Sequence, residues 1–108
     1  MAWTVETLNH TVDAELNALP ADMRARFTRV VRLIDSFGDD RVGPPHVKHL
    51  QGRLWAMRLR GRDGIARALY VTVTGQRVAV VIVFVKKTQK TPRREIELAL
   101  ERAKEIVA

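Results

Sequence analysis

Residues 54–85 read LWAMRLRGRDGIARALYVTVTGQRVAVVIVFV. This stretch contains three runs typical of β-strands: Leu54–Arg60, Ile65–Thr74 and Arg77–Val85. Asp63-Gly64 and Gly75-Gln76 lie in the short connections, and such pairs favour the tight turns of β-hairpins. We therefore predict three consecutive antiparallel strands. The uniformly apolar third run predicts a central strand that is buried on both faces.

Helical patterns lie on either side of these strands. Between Pro20 and Gly38, apolar residues recur at steps of three and four, which predicts a helix, and a shorter one is predicted over Val12–Leu19. Trp3–Leu8 has strand character, and Thr91-Pro92 is typical of the start of a final helix. The predicted order is β-α-α-β-β-β-α, an α+β fold in which helices pack on one face of an antiparallel sheet.

The chain of 108 residues is long enough for one domain, and we expect a single domain over residues 1–108. Its net charge of +7 is unevenly distributed, because residues 41–94 contain 13 of the 19 Lys and Arg but one acid, Asp63. This basic block coincides with the predicted sheet and favours a phosphate-rich partner. The alternative is a soluble protein of high pI without a nucleic-acid role.

The composition also bounds the compartment and the chemistry. The chain has no cysteine, which excludes disulfides, thiolate zinc sites and a cysteine nucleophile. No signal-peptide pattern is visible, and the longest apolar run, Val78–Val85, is far shorter than the roughly 20 residues of a membrane-spanning helix. We therefore expect a cytoplasmic protein with no membrane contact.

Few residue patterns of known catalytic sites are present. His46 and His49 have a His-x-x-His spacing, but no third ligand is evident, so we expect neither a metal nor a cofactor. Ser36 is the only serine and lies late in a predicted helix, which disfavours a Ser-His-Asp triad. Paired carboxylates are disfavoured too, because Asp63 is the one acid in the basic block and lies in a turn.

The remaining candidates for chemistry are cations. Strand alternation places Arg58 and Arg60 on one face of the first strand of the 54–85 stretch, and Arg67 lies near the start of the next. Lys86 and Lys87 end the third strand, and their adjacency means that only one of them faces inward if the strand continues. Such a group suits phosphate recognition and stabilises the charge that develops in phosphodiester cleavage.

Other residues are candidates for contacts with RNA: Lys48, Arg60, Tyr70, Phe84, Gln89 and Lys90. Among these, Tyr70 and Phe84 offer rings on which bases could stack, and a place in the hydrophobic core is the alternative for both.

Four segments of the sequence resemble the phage-derived branch of the RelE/HigB toxin superfamily. They are Lys48-x-Leu50-x-Gly52-x-Leu54-Trp55-x-Met57-Arg58, Arg67-x-Leu69-Tyr70, Phe84-x-Lys86-Lys87-Thr88-Gln89-Lys90-Thr91-Pro92 and Glu95-Ile96-x-x-Ala99. The resemblance covers nearly the whole chain and is most specific from Phe84 to Pro92. The branch commonly has an acid between the Trp and the Arg, where this chain has Ala56 and Met57.

The resemblance implies a RelE-like fold and a type II toxin-antitoxin toxin. Such toxins are endoribonucleases that enter the ribosomal A site and cut mRNA without metal, by attack of the ribose 2′-hydroxyl. A cognate antitoxin, often a helix-turn-helix protein, neutralises each and represses the operon, so that operator DNA is contacted only through the antitoxin.

Carried onto this chain, the resemblance implies that Arg58 and Arg67 bind and stabilise the phosphate. Lys86 and Lys87 would hold the RNA backbone and offset transition-state charge. The auxiliary contacts would be Lys48, Arg60 and Lys90. The general base stays open between His49, Tyr70 and a lysine of lowered pKa.

Two other functions are compatible with the sequence. The first is a ParE-like toxin of the same fold that poisons DNA gyrase, and the basic face argues against it. The second is a non-catalytic nucleic-acid-binding phage accessory protein, whose binding would fall steeply with salt.

Overall fold

The computed structural model describes residues 3–38, 42–43, 46–86 and 91–106. In chain order the elements are β1 (Thr4–Thr7), α1 (His10–Asn17), α2 (Ala21–Phe37), β2 (Val47–Gln51), β3 (Leu54–Gly61), β4 (Gly64–Val73), β5 (Arg77–Lys86) and α3 (Arg93–Ala103). The α+β class is confirmed, and the predicted elements follow one another as expected, with one additional strand between α2 and the three predicted strands. Among the described residues, no helix has the length and apolarity needed to cross a membrane.

The strand β2 is the one element that the sequence analysis lacks. It has five residues, of which Val47 alone is buried, so its sequence shows no alternation of apolar and polar residues. It forms because it pairs antiparallel with β3, starting with Val47 opposite Met57. Lys48, expected just before the first strand of the 54–85 stretch, therefore lies within a strand of its own.

The five strands form one sheet in the order β1-β5-β4-β3-β2. The predicted hairpins are confirmed, because β3 pairs antiparallel with β4 and β4 with β5. The first strand differs from the prediction of an antiparallel sheet, since β1 runs parallel to β5. A parallel neighbour requires a long crossover connection. Here α1 and α2 lie in that connection.

Both faces of the sheet are covered by helices. One face of the sheet packs against α1 and α2, and we call it the helix-pair face. Its buried contacts include Val12, Met23 and Ile34 of the helices and Met57 of β3. The opposite face, which we call the α3 face, packs against α3 through Ala99 and Ala103. The prediction that the helices pack on one face of the sheet is therefore wrong for α3. Its position follows from the central strands, which are apolar on both sides and need cover on both.

A β-bulge in β5 determines which side chains share a face. Val80 and Ile82 have partners in β4, and Val81 between them has none. Val81 and Ile82 consequently both lie on the α3 face, and the alternation of the remaining residues of β5 is reversed. Because of this shift, Phe84 and Lys86 face the same side as α3.

The β3–β4 turn lies so close to the start of α2 that it requires glycine at position 61. A Cβ on Gly61 would lie 2.7 Å from Met23 Cγ and 2.9 Å from Asp22 Oδ2. The backbone N–H of Arg62 donates to Asp22 Oδ2 at 2.5 Å, which lowers the pKa of that carboxyl. We expect Gly61→Ala to destabilise the fold by about 1–3 kcal/mol, measured by urea unfolding. Gly43→Ala is the control, because a Cβ there meets no atom of the described residues within 4 Å.

Candidate nucleic-acid interface

Cations of four neighbouring strands come together on the α3 face of the sheet, and the exposed Arg60 of β3 lies on that face too. We call four of them the basic cluster: Lys48 of β2, Arg58 of β3, Arg67 of β4 and Lys86 of β5. Arg58 is directly opposite Arg67 in the strand register, so their Cα atoms are about 4.5–5.5 Å apart. Lys86 is opposite Ile65, one pair further along the same face. Positively charged side chains from four strands therefore lie close together on this face.

Two of these cations are buried and have no counter-ion among the described residues. Arg67 is 7% exposed and Lys86 is 8% exposed. The Nε atoms of Arg58 and Arg67 are buried and find no hydrogen-bond partner in the part of the chain that the structure describes. Within the described ranges, the six ion pairs leave out every member of the basic cluster.

The pKa values of Arg67 and Lys86 are lowered by burial and by the neighbouring cations. Burial, and then the neighbouring Arg58, lowers the pKa of Arg67, which stays protonated as arginines do. Burial also lowers the pKa of Lys86, and the next causes are the charges of Arg67, Arg58 and Lys48. Like charges directly opposite one another weaken a sheet. The fold thus tolerates a repulsion that a bound polyanion would relieve.

Phe84 belongs to the same region. It is directly opposite Arg67, on the side away from Arg58, and its side chain is half-buried. The row Arg58, Arg67, Phe84 therefore places two guanidinium groups beside an aromatic ring. Such a row can take a phosphate and an adjoining base.

Tyr70 does not join the basic cluster. It is fully buried on the helix-pair face, among the core residues beneath α1 and α2. The neighbouring Leu69 takes the α3 face, because successive residues of a strand alternate. Tyr70 is therefore a core residue and not a platform on which a base stacks.

Three of the predicted site residues, Lys87, Gln89 and Lys90, lie outside the described residues. Their proposed roles in holding RNA remain predictions from the sequence.

A cleft lies beside the part of β3 that extends past its pairing with β2, after Met57. Two of its residues, Arg26 and His46, are not marked as site residues by any pattern in the sequence. It measures about 240 Å³ and is lined by Arg26, His46, Arg58 and Arg60. It lies where β2 pairing begins, since the Arg58 N–H donates to the His46 carbonyl at 2.8 Å. Arg26 is one of four arginines on α2, and no periodicity in the sequence distinguishes it from the others. The cleft extends the cationic surface from the basic cluster around the edge of the sheet.

The two histidines with metal-ligand spacing have separate surroundings. His49 Nε2 is 2.7 Å from the Gly52 carbonyl, and its ring meets Trp55 edge-on at 5.0 Å. His46 lines the cleft instead. In the described part of the chain, no three potential metal ligands come together.

Comparisons with known proteins agree with this architecture. The sequence matches the family described as "Phage derived protein Gp49-like" over residues 14–104. No curated protein sequence matches it significantly.

Two solved structures of RelE toxins share the fold. The archaeal RelE of the RelE-RelB complex from Pyrococcus horikoshii OT3 superposes with a TM-score of 0.59 and 19% identity, over 81% of this chain and 98% of that one. A double arginine mutant of the E. coli toxin RelE in the free state gives a TM-score of 0.65 and 17% identity, over 99% and 100%.

At these identities the two structures establish the fold, and the match over residues 14–104 establishes the family. The resemblance noted in the sequence is thereby confirmed. The chain belongs to the Gp49-like family of phage-derived proteins, a RelE-like toxin family.

Proposed function

We propose that this chain is the toxin of a type II toxin-antitoxin system and acts as a ribosome-dependent endoribonuclease. The observation that carries the proposal is the basic cluster, in which Arg67 and Lys86 are buried among cations and pair with no carboxylate of the described residues. Charges held in so unfavourable a setting are typical of functional sites. The phosphodiester backbone of mRNA supplies the missing negative charge.

The proposed reaction needs no group beyond RNA and the side chains. The ribose 2′-oxygen forms a bond to the adjacent phosphorus while the bond from phosphorus to the 5′-oxygen breaks. The products are a 2′,3′-cyclic phosphate and a 5′-hydroxyl. Arg58 and Arg67 bind the non-bridging oxygens, on which negative charge grows in the transition state. A base adjoining the scissile phosphate stacks on Phe84.

Partners follow from the same proposal. The ribosome presents the mRNA in extended form, and the cleft beside Arg60 continues the positive surface along which a neighbouring stretch of backbone could lie. A cognate antitoxin holds the toxin inactive, as the RelE neighbour crystallised with RelB suggests. Contact with operator DNA would be made by that antitoxin.

The test is controlled expression followed by primer extension on translated and untranslated mRNA. We expect growth arrest and 5′ ends that appear only in translated messages. Arg58→Ala should cut about 10- to 100-fold more slowly, since it removes charged hydrogen bonds to phosphate. Arg32→Ala is the matched control, because it removes an equal charge from an exposed position on α2.

Two outcomes would contradict the proposal. Intact mRNA together with DNA breaks would show a gyrase-directed toxin. Salt-sensitive binding to RNA without cleavage in the presence of ribosomes would show a non-catalytic binder.

A further inference from the structure

Lys86 differs from the other cations of the basic cluster in its chemistry. It is the last residue of β5, and the bulge at Val81 turns it toward the α3 face with Arg58 and Arg67. It is more than nine-tenths buried. An arginine in this setting stays charged, but an amine can give up its proton and then accept another.

The surroundings of Lys86 favour its neutral form. The charged groups that act on it are Arg67 of β4, Arg58 of β3 and Lys48 of β2, and all are cations. In the part of the chain that the structure describes, no carboxylate pairs with it. A bound phosphodiester offsets part of this repulsion, and the three cations remain beside Lys86 with RNA in place.

We propose that Lys86 Nζ accepts the proton of the attacking 2′-hydroxyl, an inference that rests on the proposed endoribonuclease function. The 2′-oxygen then bonds to phosphorus, and the 2′-proton passes to the Lys86 amine. The 5′-oxygen leaves with the electron pair of the broken bond and takes a proton from solvent. Arg58 and Arg67 hold the phosphate oxygens throughout.

The other candidates for the general base fit less well. Tyr70 is buried on the opposite face of the sheet. His49 Nε2 is engaged by the Gly52 carbonyl, and its ring packs on Trp55 at the outer edge. Lys86 alone among these combines burial, an amine and a place beside both phosphate-binding arginines.

The test compares the parent with Lys86→Arg in a ribosome-dependent cleavage assay across pH. The substitution keeps the positive charge and removes the ability to accept a proton. We expect a loss of about 100-fold or more in single-turnover rate, with binding to the ribosome retained. The parent rate should rise with pH and level off below pH 10.5, the ordinary lysine value, whereas the variant rate should keep rising.

Controls separate this role from a merely structural one. Lys104→Arg, the same exchange at an exposed position at the end of α3, should keep both the parental rate and the plateau in the pH profile. In ¹³C-labelled protein without RNA, the Lys86 side-chain signal should titrate below pH 10.5. The inference would be overturned if Lys86→Arg kept the parental rate and plateau, or if the Lys86 signal titrated at or above pH 10.5. Either result would leave the proposed function standing. Absence of cleavage by the parent at every pH would overturn the proposed function as well.

Discussion

Replacing Arg67 by methionine is expected to slow cleavage by about two to three orders of magnitude and to stabilise the fold. Arg67 is buried opposite Arg58, and its Nε has no partner in the described residues. Removing a phosphate-binding charge from a site screened from water should lower the cleavage rate about 10²- to 10³-fold. Removing a buried charge that repels Arg58 and pairs with no described carboxylate should raise the free energy of unfolding by about 1 kcal/mol.

The measurements are single-turnover cleavage with ribosomes and thermal unfolding of the isolated protein. A gain of about 1 kcal/mol corresponds to roughly 4 °C or more in Tm for a domain of this size. Arg77→Met is the matched control, because Arg77 lies in the same sheet but pairs with Glu6 at 2.6 Å. We expect the control to retain cleavage and to gain no stability. An Arg67→Met protein that is less stable than the parent would show that Arg67 serves the fold.

Much of the fold and part of the site follow from sequence alone. Alternation and turn chemistry predict β3, β4 and β5, because these strands bury apolar residues against neighbours close in sequence. The same alternation puts Arg58 and Arg67 on one face, since the two-residue turn between Gly61 and Gly64 fixes their register.

The rest depends on contacts between segments distant in sequence. Nothing in the uniformly apolar β5 marks Val81 as the bulge, yet the bulge decides that Lys86 and Phe84 face the α3 side. The sequence left open which of the two adjacent lysines would do so. The cleft residues Arg26 and His46 likewise come together only because α2 packs against the edge of β3. Their spacing in the chain carries no signal of this.

The β5 bulge is held by an ion pair between the helices of opposite faces. Arg102 of α3 donates through Nη1 to the Val81 carbonyl at 2.9 Å and pairs with Glu15 of α1 at 2.9 Å. Glu15 Oε1 in turn accepts the Val83 N–H at 3.1 Å. These bonds satisfy backbone groups of β5 beyond the point where its pairing with β1 ends, at Val80. The ion pair thus fixes the segment whose register orients Lys86.

Arg102→Met is therefore expected to reduce both stability and cleavage. The substitution leaves the Val81 carbonyl without its donor and Glu15 without its cation, and both partners are largely buried. We expect a loss of about 2 kcal/mol in the free energy of unfolding, or roughly 10 °C in Tm. Cleavage measured at a temperature where the variant is fully folded should still fall, because a mobile β5 places Lys86 and Phe84 less accurately.

A double-mutant cycle with Glu15→Gln tests whether the pair acts as a unit. Glu15→Gln keeps an oxygen for the Val83 N–H but loses the charge, so we expect a smaller loss alone and a non-additive loss in the double variant. Glu97→Ala is the control, because its pair with Arg93 is exposed and should contribute less than about 1 kcal/mol. Full cleavage by a folded but destabilised Arg102→Met protein would separate the two effects. The ion pair would then stabilise the fold without positioning the site, and the orientation of Lys86 would follow from strand pairing alone.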